Sequence, residues 1–221
     1  MFEDVRFNNA EMSGVADHGN IFKDCRFEET TFRKAVVGYR GSAYQGCLFD
    51  GSEFRRSSFV RPEFDDCQFA HCRLKGVDFN ASSFVHCSFA GVLEDVWFRG
   101  EFPMPSAAKQ FGNPRRNEMK KVSFENAELH DLTFSDRCDL SSIVLPTRGD
   151  YRLYGSWKAR LDRLGSLGER WSSRDRGEVQ TFVYSYGVHA KKQDWWLINC
   201  EDVRKEYGQE LGNQILQGLE L

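Results

Sequence analysis

From Tyr44 to Phe89 a bulky apolar residue returns at every fifth position: Tyr44, Phe49, Phe54, Phe59, Phe64, Phe69, Leu74, Phe79, Phe84 and Phe89. Two residues before each stands a small or compact one: Ser42, Cys47, Ser52, Ser57, Pro62, Cys67, Cys72, Val77, Ser82 and Cys87. A period of five fits neither a helix nor a strand, so neither alone buries this pattern. Fixed self-similarity at a short period predicts a solenoid.

The same phase runs back through Phe32, Phe27, Phe22, Met12, Phe7 and Phe2. Asp17, followed by His18, Gly19 and Asn20, makes a poor pentad and is expected to bulge outward. Val37 keeps the phase, but Tyr44 follows seven residues later, so 37–41 reads as a corner carrying a two-residue insertion. After Phe89 the rhythm fails: Glu94 stands where an apolar residue is due, and Trp97 and Phe98 fall out of phase. The proline-bearing, basic stretch Arg99–Glu118 is expected to leave the body as a loop. Its Phe102, Met104 and Phe111 need cover or a partner, and Arg115 and Arg116 give it positive charge. The repeat resumes at Met119, Phe124, Leu129 and Phe134 and fades at Asp139.

The pentads "CLFDG", "CQFAH", "CSFAG" and "VDFNA" resemble the pentapeptide-repeat family. The resemblance implies an all-β solenoid: a right-handed quadrilateral parallel β-helix with four pentads per coil. Central and small residues point inward, and the other three point to solvent. Residues 20 apart then stack, or 22 apart across the insertion. Cys25, Cys47, Cys67 and Cys87 should form one column, and Phe27, Phe49, Phe69 and Phe89 its neighbour. Coils should lie roughly 4.8 Å apart. The cysteines read as small buried fillers rather than ligands, since metal sites need convergent side chains, not a straight ladder.

Beyond Leu145 the composition changes: 18 of 19 Phe precede residue 135, while four of five Trp follow residue 150. Trp157, Leu161, Leu164 and Trp171 recur at helical spacing, as do Val179, Phe182, Val183 and Tyr186. A third helix is expected through Val203, Tyr207, Leu211, Ile215 and Leu219, with Asn199 as N-cap. The chain therefore divides into a β-helix over 1–145 and a helical region over 146–221. That region is expected to cap the open end of the solenoid. It also offers a homodimer interface, as the C-terminal helices of some family members do.

A net charge of −3 and a pI near 6.0 provide no basic footprint for nucleic acid. No apolar run approaches membrane-helix length, and the charged start in repeat phase reads against a secretory signal, so a cytoplasmic setting is expected. The five histidines are scattered and no phosphate loop, zinc spacing or nucleophile elbow occurs. Cys200 with His189 is a weak dyad candidate. No enzyme activity and no cofactor are expected.

Binding remains. The best-understood branch of the family protects type II topoisomerases by imitating duplex DNA. Residues 1–145 hold 22 acidic and 18 basic residues, and the slot before the central residue carries Arg6, Arg26 and Arg73 where the family favours Asp or Asn. So much arginine argues against imitation of DNA and favours an antidote or immunity-type protein that occludes a toxin or other protein. Its contacts are expected from the loop (Phe102, Met104, Phe111, Arg115, Arg116). Glu53, Glu63, Asp65 and Asp66 on the outer faces are expected to meet a basic partner.

Overall fold

The computed structural model describes every residue except Arg116, Glu118, Gly168, Glu169, Arg170 and Leu221. In it each pentad makes one edge of a coil. On three of the four faces the central residue lies in a short strand, and the chain turns two residues later through a left-handed backbone. Asp4, Asn9, Asp24, Glu29, Gly46, Gly51, Asp66 and His71 all have positive φ. The N–H of each such corner donates to a carbonyl of the next coil, as in Asp24 to Gln45 at 2.8 Å and Asp66 to Val85 at 2.9 Å. Inter-coil bonding therefore holds even Glu29 and His71 in a conformation that Gly, Asn and Asp adopt more readily.

The strands stack in parallel on four faces. The Tyr44 face has five, centred on Phe2, Phe22, Tyr44, Phe64 and Phe84. The Phe49 face has six, from Arg6–Asn8 to Ser123–His130. Single bridges through Glu11, Thr31, Glu53 and Arg73 link the Phe54 face. On the Phe59 face two three-stranded sheets follow one another, Ala16–His18 to Ser58–Phe59 and then Asp78–Phe79 to Thr133–Ser135.

The expected registers hold. Phe27 pairs with Phe49, 22 residues on, and Phe49 with Phe69 and Phe69 with Phe89 at intervals of 20. Their rings stack at 4.8 Å throughout, while adjacent columns meet edge to face, as Phe64 and Phe69 do at 5.2 Å and 76°. The two-residue insertion enters in two single steps. Ala16 pairs with Val36, His18 with Tyr39 and Ile21 with Ala43. Gly38, at φ 86°, is required there, because a Cβ would stand 2.6 Å from Pro62.

Three expectations are corrected. Asp17 does not bulge outward: it occupies the central slot, half-buried, where the Tyr44 hydroxyl (2.7 Å) and the Asn20 amide (2.7 Å) donate to its carboxylate. The repeat does not fail after Phe89. Leu93 fills the slot one residue early, and Phe98 is fully buried, stacking on Phe79 at 5.1 Å and Phe134 at 5.2 Å. One deleted residue shifts the phase and leaves the coil intact. Arg99 consequently belongs to the strand Trp97–Arg99. The departure begins after it, carrying the short helix α1 (Pro105–Phe111).

Elements group into two compact units, Met1–Arg148 and Gly149–Leu221. Among its described residues the second has four helices: α2 (Trp157–Ser166), α3 (Ser173–Gly187), α4 (Cys200–Tyr207) and α5 (Gln209–Glu220). Asn199 caps α4 as expected, accepting from the Glu201 N–H at 3.0 Å. The single expected C-terminal helix is instead two, parted at Gly208 with φ 83°. An antiparallel ribbon, Tyr151–Tyr154 with Trp196–Asn199, was not anticipated. Trp157, Phe182, Trp196, Cys200, Ile215 and Leu219 are buried in the core of this unit.

Candidate functional site

The interior is filled and most of its polar groups are spent. Most inward thiols and hydroxyls lie near a backbone carbonyl of the preceding coil: Cys47 at Phe22 (3.5 Å), Cys67 at Tyr44 (3.3 Å), Cys72 at Phe49 (3.3 Å), Cys87 at Phe64 (3.5 Å); the buried Ser82 hydroxyl has no partner. Ser52 and Thr30 occupy the same slot and donate to Phe27 (2.8 Å) and Phe7 (3.1 Å). The small residue is thus a donor as well as a filler, a role the sequence reading missed although Ser, Thr and Cys share the slot. All seven cysteines are free and buried. Burial pushes the Cys72 thiol up to about 12 and Cys67 higher still. Among the described residues no group of His, Cys, Asp and Glu has metal-binding geometry. Cys200 is a poor nucleophile: burial and the Asp150 carboxylate beside it push its thiol up to about 11.

The loop folds back onto the solenoid. Phe102 is buried against Val60 and Ala81, and Phe111 lies half-buried with it, 5.8 Å from the Tyr39 ring. Arg61 holds the loop down, its Nε donating to the Phe111 carbonyl at 2.6 Å. Met104 stays 64% exposed. Arg115 reaches Glu63 at 3.5 Å, and Arg116 lies outside the described residues. Where the chain rejoins the coil, buried Asn117 accepts from the N–H groups of Phe84 (3.2 Å) and Met119 (3.1 Å), so its side chain stands in for a backbone rung.

The four acidic candidates are not one cluster. Glu63 and Asp65 flank Phe64 on the Tyr44 face, and Asp66 follows at its corner. Asp65 lies 3.4 Å from His86. Glu53 is on the Phe54 face and buried at 6% exposure. Arg55 grips both of its oxygens at 2.5–2.9 Å, and Arg73 stands at 3.6 Å. Burial pushes its carboxyl up, but the Arg55 hydrogen bonds and the two guanidinium charges outweigh burial and leave the pKa below the ordinary value. Around this pair lies a concavity of about 440 Å³ that the sequence reading did not find. It was readable as the repeated dipeptides Arg33-Lys34 and Arg55-Arg56, 22 residues apart and therefore stacked.

Inward aromatic columns, left-handed corners and outward charge define a four-faced parallel β-solenoid. Residues 63–92 match the family model for pentapeptide repeats (8 copies), and that stretch of the chain is built of pentapeptide repeats. No curated protein matches it. Among solved structures it is similar to a trypsin-treated variant of QnrB1, a plasmid-mediated fluoroquinolone resistance protein. That match has 20% identity and a TM-score of 0.31, covering 65% of this chain and 69% of the other. Full-length QnrB1 matches at 11% identity and a TM-score of 0.24, covering 61% of this chain and 84% of the other. A pentapeptide repeat protein of the Arabidopsis thaliana thylakoid lumen matches at 12% and 0.20, over 58% and 70%.

Proposed function

We propose that this chain is a non-enzymatic protein-binding module, an antidote or immunity-type protein that occludes a toxin or another protein partner. The filled interior carries this reading. Stacked rings take up the solenoid's core, and most of its inward thiols and hydroxyls lie against backbone carbonyls, so specific chemistry is left to the outer faces. Inter-coil hydrogen bonds and paired registers fix the backbone from which the outward side chains project. A rigid, patterned surface suits recognition of another folded protein. We assign the contacts to Met104 and Arg115 on the loop and to Asp65 and Asp66 on the acidic corner. The free thiols fit a reducing compartment such as the cytoplasm.

The test is capture. Tagged full-length protein, incubated with lysate of its own source and washed at moderate salt, is expected to retain one protein whose activity falls as the chain is added. Retention of gyrase or topoisomerase IV subunits instead would replace this reading with topoisomerase protection.

A further inference from the structure

We propose that the concavity on the Phe54 face is a recognition groove for a run of acidic side chains on a protein partner. Arg33, Lys34, Arg55, Arg56 and Arg73 line it. Only two carboxylates, Glu11 and Glu53, share the groove with these five cations. The local excess is therefore three positive charges, in a chain whose net charge is −3.

The arrangement is built from the coil upward. Arg33 and Arg55 each follow a buried central phenylalanine, and Lys34 and Arg56 occupy the corners after them. One coil apart, like charges stand roughly 4.8 Å from each other, a placement that costs stability unless an anion lies between them. Buried Glu53 partly meets that need: it fixes Arg55 in a two-pronged grip and holds Arg73 at 3.6 Å. No carboxylate among the described residues lies within ion-pair distance of Arg33, Lys34 or Arg56, and all three are exposed. Lys34 and Arg56 also hold left-handed backbones at φ 59° and 65°, at a corner where the coils on either side place Gly14 and Gly76.

The geometry selects the ligand class. Guanidinium forks match carboxylates in paired hydrogen bonds. The groove has no aromatic lining on which bases could stack. Its cations span three coils, on the order of 10 Å, the reach of a short peptide segment. The partner's complementary feature is therefore two or three neighbouring Asp or Glu side chains. This inference rests on the reading of the outer surface as protein-binding and gives that surface a polarity.

The experiment uses full-length protein and a fluorescein-labelled eight-residue glutamate peptide, followed by anisotropy at low and physiological salt. The wild type is expected to bind it, more weakly as salt rises, while a lysine peptide does not bind. The variant R33Q/K34Q/R56Q, which spares the Glu53–Arg55 pair, is expected to bind at least tenfold more weakly with an unchanged melting temperature. K109Q/K120Q/K121Q loses equal charge elsewhere and should bind like the wild type. Equal weakening in both variants, undiminished binding in the first, or tighter binding of a single-stranded oligonucleotide than of the peptide would overturn the proposal. Peptide binding is independent of lysate capture, so loss of one leaves the other standing.

Discussion

At the scale of single residues, the inward slots combine volume with hydrogen bonding. Tyr44 stands in a column of phenylalanines because its hydroxyl satisfies Asp17, the one acidic residue in a central slot. Tyr44→Phe strips a half-buried carboxylate of that donor and is expected to cost about 1.5–3 kcal/mol in urea unfolding. Phe69→Ala removes a ring between two stacked neighbours and should cost roughly 3–5 kcal/mol in the same assay. The buried thiols should not react with a disulfide-exchange reagent at pH 8 until the chain unfolds, because burial holds Cys72 near 12. Fast reaction of any of them in the native protein would show that the coil opens. Glu53 gives an acid-sensitive element. Its folded pKa lies below its unfolded one, so its stabilising contribution is full above the ordinary value of 4.5 and is lost as pH falls through the depressed value. Glu53→Gln should therefore flatten the fall in melting temperature below about pH 5, at the cost of lower stability at pH 7.

At the scale of elements, the two-residue insertion and the loop fall on one edge of the solenoid. The chain passes from the Phe59 face to the Tyr44 face at 37–44, where two residues are inserted, and again between Phe98 and Met119, where the α1 loop leaves. Arg61, at the same edge, fastens that loop. Arg61→Ala should release it, and limited proteolysis is expected to show faster cleavage within 103–115 with little change in melting temperature. The phase of the pentads was legible because one residue type per slot repeats with no interruption from Tyr44 to Phe89. The continuation through Leu93 and Phe98 was not, because deletion of a single residue moves both out of phase, and the phase returns only after the loop, at Met119. The fold of the loop was hidden for a different reason: Phe102 finds its cover on Val60 and Ala81, some twenty to forty residues earlier. The ribbon Tyr151–Tyr154 with Trp196–Asn199 joins short segments too far apart for any local period to reveal.

At the scale of the whole molecule, the interior and the exterior have separate tasks. Pentad periodicity specifies the interior and is plain in the sequence. The exterior is written in the remaining positions, and its meaning depends on stacking at intervals of 20 or 22. Glu53 reads as a free acid along the chain, yet stacking delivers Arg73 to it and sets Arg33 beside Arg55. That is why the pairing of Glu53 and the cationic groove are not legible along the chain without that stacking. No helix among the described residues is long and apolar enough to cross a membrane. The most direct test of the separation is the affinity of a captured partner for three proteins measured side by side: the wild type, the interior variant Cys67→Ser and the outer-face variant R33Q/K34Q/R56Q. Affinity unchanged in the interior variant and at least tenfold weaker in the outer-face variant is the predicted result. Affinity lost in the interior variant at full stability, and retained in the outer-face one, would contradict it.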